Sequence, residues 1–176
     1  DQGRHDEAVA AMEKALTLED EIEPEVRIQL ARLYDEVDRR EDALAQIETA
    51  VAEHPDEAAD IYYAKALLHH REDETDAAEA ALLKALEADP DHAPSNNDLG
   101  YTWADAGRNL ERAKEMISNA VAAKPREAAY LDSLGWVHYK LGEFEQAAAR
   151  LEEARSLPGG GDPVILDHLG DALWRL

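Results

Sequence analysis

Five alanines, Ala8, Ala43, Ala78, Ala113 and Ala147, follow one another at intervals of 35, 35, 35 and 34 residues, and no other feature constrains the fold as tightly. A fixed period of this length is the mark of a repeat architecture, in which each unit buries its apolar face on its neighbours. Four residues on from these alanines stand Met12, Ile47, Leu82, Ile117 and Leu151, and seven on stand Ala15, Ala50, Ala85, Ala120 and Ala154. Positions i, i+4 and i+7 share one face of an α-helix. Twelve residues on, Pro55, Pro90 and Pro125 close three of the units, because proline cannot continue a helix interior.

A second helix precedes each stripe. It carries a small residue where two helices must approach, at Ala31, Ala66, Gly100, Gly135 and Gly170. One residue earlier come Leu30, Lys65, Leu99, Leu134 and Leu169, and three later Tyr34, His69, Trp103, His138 and Leu173. Gly107 and Gly142 mark turns into the next helix. Composition alone points elsewhere: Leu, Ile, Val and Phe make up only 35 of 176 residues and the net charge is −22, a balance that borders on disorder. The 33 alanines and their register resolve the conflict, since alanine is the strongest helix former and lets helices pack closely. The register predicts ten helices near 4–19, 25–37, 40–53, 58–71, 74–88, 94–106, 109–124, 128–140, 143–156 and 163–175. Asp162 before Pro163 reads as an N-cap with proline in the first turn, and Gly159-Gly160-Gly161 as a flexible joint ahead of it.

Leu134-Gly135, Gly142, Phe144, Ala147 and Ala154 resemble the tetratricopeptide repeat pattern of L-G, G-x-F/Y, A and A. The resemblance covers nearly the whole chain. It departs at Lys65, where Leu is usual and which suggests a looser second unit, and at Arg108-Asn109-Leu110, where the turn gains a residue. The tracts Asn97 to Asp105, Leu131 to Trp136 and His168 to Asp171 are similar to the C-terminal repeats of bacterial TPR proteins, several of them cell-envelope adaptors. The resemblance implies an all-α fold: a right-handed TPR superhelix, or α-solenoid, of about ten antiparallel-paired helices. It would be a single solenoid over 1–176, with helix B of an incomplete repeat at 1–22. Four repeats at 23–56, 57–91, 92–126 and 127–161 follow, then helix A of another incomplete repeat at 162–176. It also tilts toward a bacterial cell-envelope protein, although the absence of cysteine suits cytoplasm and envelope alike and leaves the compartment open. The opening Asp1-Gln2-Gly3-Arg4 is neither a signal peptide nor a translation start, so the chain reads as a piece of a longer protein.

In this family the concave face is lined mainly by the A helices. The family's groove positions, carried over, include Arg32 and Glu36 on the first A helix, then Tyr63, Leu67, His70 and Arg71. Next come Asn97, Tyr101 and Asp105, then Asp132, Trp136, Tyr139 and Lys140, and finally Asp167, Asp171, Trp174 and Arg175. Tyr63, Tyr101, Trp136, Tyr139 and Trp174 form an aromatic ribbon, with Asp105, Asp132, Asp167 and Asp171 between them. Such rings either anchor a ligand at low entropic cost or pack neighbouring A helices. The ligand reading gives an adaptor or scaffold whose protein or peptide partner has apolar and basic character. The Lys and Asn that grip acidic C-terminal tails in carboxylate-clamp relatives are not at their fifth and ninth positions here. A different reading is a structural module that self-associates end to end, through Val9, Met12 and Leu16 at one end and Leu166, Leu169 and Leu173 at the other.

The remaining chemistry is expected to be absent. Forty acids against 18 bases argue against a nucleic-acid partner, whose phosphates need Lys and Arg. With no cysteine, disulfides, thiolate zinc sites and thiol nucleophiles drop out, and no apolar run is long enough to insert directly in a membrane. The acidic runs Glu19-Asp20-Glu21 and Glu72-Asp73-Glu74 fall at turns and read as solvated surface, with a partner-steering patch or adaptation to a salty medium as alternatives. No catalytic motif, phosphate-cradling loop or EF-hand is present, so neither an enzyme nor a cofactor is expected. His69 and His138 read as core fillers where other units place Tyr34 and Trp103. His168 with Asp171 spans one helical turn, too few ligands for a metal site.

Overall fold

The computed structural model describes residues 2–18 and 22–176, and among them every regular element is helical. In order these are α1 (Gln2–Leu16), α2 (Pro24–Glu36), α3 (Arg40–Glu53), α4 (Ala58–Arg71) and α5 (Thr75–Ala88). They are followed by α6 (Ala93–Asp105), α7 (Leu110–Ala123), α8 (Ala128–Lys140), α9 (Phe144–Arg155) and α10 (Pro163–Trp174). The chain divides into two compact units, Asp1–Asp89 and Pro90–Leu176. The spacing located all ten helices, with one end misjudged: α1 stops at Leu16, and the Thr17 and Leu18 amides turn back onto Lys14 and Ala15. A 3₁₀ turn at Pro55–Glu57 ahead of α4 was not foreseen. The run Glu19-Asp20-Glu21 lies outside the described residues, whereas Glu72-Asp73-Glu74 forms the α4–α5 turn.

The alanine register is the core. Ala43, Ala78, Ala113 and Ala147 are fully buried, as are Ile47, Leu82, Ile117 and Leu151, and Ala50, Ala85, Ala120 and Ala154. The small residues of the A helices admit these stripes. A Cβ on Gly100 would lie 2.7 Å from Ile117 Cγ1, and one on Gly135 would lie 2.5 Å from Leu151 Cγ, both far inside carbon–carbon contact. Lys65, the odd residue of its register, keeps its ammonium on Glu48 and covers the neighbouring surface with its stem. Asp162 caps α10 by accepting the Val164 amide at 2.8 Å. The glycine triplet before it makes a compact turn, in which a Cβ on Gly160 would meet the Ala154 carbonyl oxygen at 2.3 Å.

Each A–B hairpin turns the same corner. Asp38, Asp73, Gly107 and Gly142 all take the left-handed conformation, with φ of 59°, 57°, 67° and 79°. The next amide then bonds back to the carbonyl five residues earlier: Arg39 to Tyr34, Glu74 to His69, Arg108 to Trp103 and Glu143 to His138, at 2.8–3.0 Å. This is the Schellman closure, which satisfies carbonyls that a helix end leaves without partners. The glycines were legible as turn residues; the aspartates were not, although a short polar side chain tolerates this region.

The same residue pairs also meet through their side chains. The Arg39 guanidinium lies 4.2 Å from the Tyr34 ring centroid, and that of Arg108 lies 5.9 Å from Trp103. In the other two hairpins an imidazole replaces the ring and an acid replaces the arginine. His69 Nδ1 is 2.6 Å from Glu74, and His138 Nδ1 is 2.5 Å from Glu143. His69 and His138 are therefore half-buried hydrogen-bonding groups rather than core fillers, because the hairpin closure brings a carboxylate to each. The imidazole bond comes first, and Arg40 or Lys114 second, in holding the Glu74 and Glu143 carboxyls below their usual range.

In unit 1 the Asp35 carboxylate is buried. Arg40 Nη1 donates to its Oδ1 at 2.7 Å and to the Leu68 carbonyl at 3.0 Å, while Nη2 donates to Glu74 at 2.7 Å. One guanidinium thus ties α2, α3, α4 and α5 together.

Of the apolar residues expected on open ends, Val9 and Leu169 are buried. Val9 packs into the cluster of α2, α3 and α4, and Leu169 packs on Ala147 and Leu151 of α9. Leu166 and Leu173 are exposed at 46% and 50%, and nothing stands within 4 Å of a Cβ on Gly170 between them. The corresponding stripe of α8, Leu131, Gly135 and His138, is covered by α9.

Candidate binding face of the A helices

Unit 2 gathers most of the expected groove residues. Helices α6, α8 and α10 place Tyr101, Asp105, Asp132, Trp136 and Tyr139 along neighbouring faces, and His168 joins them from α10. The Trp136 indole stacks on Tyr139 at 5.0 Å between centroids and 5° between planes, and on His168 at 4.1 Å and 14°. The Tyr101 ring lies 6.4 Å from His168. Trp136 Nε1 donates to Asp105 Oδ1 at 3.2 Å, and Lys140 Nζ donates to the Asp105 carbonyl at 2.9 Å. The indole is half-exposed, stacked on Tyr139 and His168 and hydrogen-bonded to Asp105, so it behaves as a rigid element.

The acids of this face differ in what they offer. Asp132 is buried, with its Oδ1 at 3.0 Å from His168 Nδ1, so its charge is spent inside the protein. His168 thus pairs with Asp132 of α8 instead of Asp171 one turn along its own helix. Asp167 and Asp171 are exposed. Burial, followed by the charges of Asp105 and Asp132, raises the Tyr101 hydroxyl pKa above its ordinary value. Asn97 is buried, and its Nδ2 donates to Asp98 at 3.0 Å. Trp174 is 88% exposed, outside the stack, while its neighbour Arg175 lies 4.3 Å from the Phe144 ring centroid.

In unit 1, Leu67 and His70 line an open cavity of about 420 Å³ between α2 and α4, together with Arg32, Glu36 and Arg71. Tyr63 is half-buried on the same helix. His168 is a participant that the groove register does not name. Its signal was weak: it stands one position beyond the groove register, where only the packing of α10 on α8 directs it inward. Among the described residues no three acids or histidines converge as metal ligands, and no helix is long and apolar enough to cross a membrane.

Tandem A–B hairpins with buried alanine registers and a shared corner define a helical-repeat protein of the interaction-scaffold class. Tetratricopeptide repeat models match residues 1–68, 59–92 and 99–161, and the chain belongs to the tetratricopeptide repeat family. It is similar to the TPR repeat-containing protein PA4667 of Pseudomonas aeruginosa, with 30% identity over 173 residues. The match takes in 96% of this chain but only 28% of that relative's length. Among solved structures, PilF of Pseudomonas aeruginosa is similar at a TM-score of 0.70 and 23% identity, covering 86% of this chain and 68% of its own. PilW, described as a widely conserved type IV pilus biogenesis factor, is similar at 0.68 and 22%, covering 86% and 74%. MamA of Desulfovibrio magneticus is similar at 0.70 and 16%, covering 86% and 84%. At these identities the likeness establishes the fold.

Proposed function

We propose that this chain is a protein-interaction adaptor without catalytic activity, and that unit 2 grips a partner segment on the face of α6, α8 and α10. The observation that carries the reading is the stack of half-exposed Tyr139 and Trp136 on buried His168, beside Tyr101. Rings already locked in place give up little entropy when a ligand covers them. The exposed Asp167 and Asp171 give the ligand its complement, apolar side chains with positive charge nearby. A pull-down with the full chain, compared with its Tyr101→Ala and Asp167→Lys/Asp171→Lys variants, tests the reading. A partner captured by the native chain should be lost by both; retention by both refutes the face.

A second reading is favoured by one observation, the uncovered stripe Leu166, Gly170 and Leu173. It is shaped to accept another helix as α8 accepts α9, which would make the chain an end-to-end assembly module. Sedimentation of a strict monomer at high concentration refutes it.

A further inference from the structure

We propose that the cavity of unit 1 is a second recognition site of opposite charge preference, taking an internal Glu or Asp flanked by aliphatic residues from a partner protein. Its floor is apolar: Ala64 and Leu68 are buried and Leu67 half-buried. Its rim is basic. Arg32 comes from α2, and His70 and Arg71 from the last turn of α4.

Arg71 is held in place from within. Its Nη1 lies 3.2 Å from Asp35 Oδ2, on a buried carboxylate that Arg40 already fixes through Oδ1. Asp35 Oδ2 has no hydrogen bond of its own, so this ion pair orients Arg71 and leaves its remaining N–H groups available. Arg32 is exposed, and neither Arg32 nor His70 makes an ion pair or side-chain hydrogen bond among the described residues. In a chain with 40 acids for 18 bases, two basic side chains, Arg32 and His70, that face a groove without an acid partner among the described residues mark a place where an acid comes from outside. The one acid on the rim, Glu36, faces His5 at 3.7 Å.

The ligand chemistry follows from floor and rim together. A small free anion would leave about 420 Å³ of apolar-floored space to water. An aliphatic segment without an acid would leave the guanidinium groups unused. A peptide with Leu or Ile beside a carboxylate satisfies both, and Arg is the side chain suited to hold a carboxylate by two parallel bonds. The site uses nothing of the aromatic stack in unit 2, so either reading can fail without the other.

Calorimetric titration of the full chain with a blocked, C-terminally amidated Leu-Leu-Glu-Ile-Leu peptide tests the proposal. The expected result is saturable binding that weakens about tenfold when the peptide Glu becomes Gln, as for loss of one charge-assisted bond. Arg32→Glu should weaken it at least as much with an unchanged unfolding midpoint, since that side chain has no structural partner. Arg71→Lys should weaken it less, because Lys keeps the charge that faces Asp35. Equal binding of the Glu and Gln peptides, indifference to Arg32→Glu, or no binding at millimolar peptide overturns the proposal. Preference for the Gln peptide with a free C-terminus over the amidated Glu peptide also overturns it, in favour of a chain-end receptor.

Discussion

Gly135 and Gly170 occupy the same register position 35 residues apart, yet alanine at the two should shift stability in opposite directions. Replacing a helical glycine by alanine gains about 1 kcal/mol of helix propensity. At Gly170 nothing within 4 Å opposes the new methyl, so Gly170→Ala should keep most of that gain. At Gly135 the Cβ falls 2.5 Å from Leu151 Cγ and 3.2 Å from the Ala147 backbone oxygen. Relief requires moving a fully buried leucine by about 1 Å, because carbon contacts settle at about 3.5–4.0 Å. Overpacking of this kind costs about 1–3 kcal/mol, and the fixed backbone oxygen places it in the upper part. Gly135→Ala should therefore lose about 1–2 kcal/mol net, leaving the two variants about 2–3 kcal/mol apart. Trp103, Trp136 and Trp174 are the only tryptophans and all fall within Pro90–Leu176, so their fluorescence during urea or thermal unfolding reads unit 2 alone. Adding Leu151→Ala to Gly135→Ala should remove the clash and make the two changes non-additive. A Gly135→Ala protein as stable as Gly170→Ala would refute the close-approach argument.

The shared corner gives a second test: Asp73→Gly should stabilise unit 1 by up to about 1 kcal/mol and Gly142→Ala should destabilise unit 2 by about 1–2 kcal/mol, measured by denaturant melts. Arg40→Met should cost unit 1 about 3 kcal/mol by removing the guanidinium hydrogen-bonded to the buried Asp35 and leaving that carboxylate only the Arg71 ion pair, with Asp35→Leu restoring part of it, as read by hydrogen exchange over residues 22–89. Glu74 and Glu143 have lowered folded pKa values, so their stabilising effect is present above the ordinary value of 4.5 and is lost as pH falls through the lowered one. Acid melts of Glu74→Gln and Glu143→Gln should be flatter than those of the native chain. Burial, with a 2.8 Å hydrogen bond to Glu13, pushes the Tyr34 hydroxyl up to about 12. Its contribution is intact below the ordinary value of 10 and disappears as pH rises through about 12. Absorbance titration should show a tyrosinate component near 12 that is missing in Tyr34→Phe.

The fold was legible because it rests on size at fixed spacing: Ala43, Ile47 and Ala50 recur as Ala78, Leu82 and Ala85, and each is fully buried. The binding face was legible only as helix positions. Register places Trp136 and Asp132 on one side of α8 but says nothing of partners on other helices. The pairing of Asp132 with His168, and of Trp136 with both Tyr139 and His168, depends on how α10 packs against α8. Asp38 and Asp73 were opaque for a different reason, since aspartate is common in many conformations and glycine is not. The basic rim of unit 1 was hidden by the charge total, which averages Arg32 and Arg71 into a strongly acidic half.

Two fasteners hold the four hairpins, and each unit owns one of either kind. An arginine laid on tyrosine or tryptophan keeps its charge and its ring through any acidification a cell imposes. Imidazole and glutamate let go once the carboxyl takes up a proton. Below the lowered range of the Glu74 and Glu143 carboxyls, α4–α5 and α8–α9 therefore each lose a side-chain fastener of a kind that α2–α3 and α6–α7 do not use.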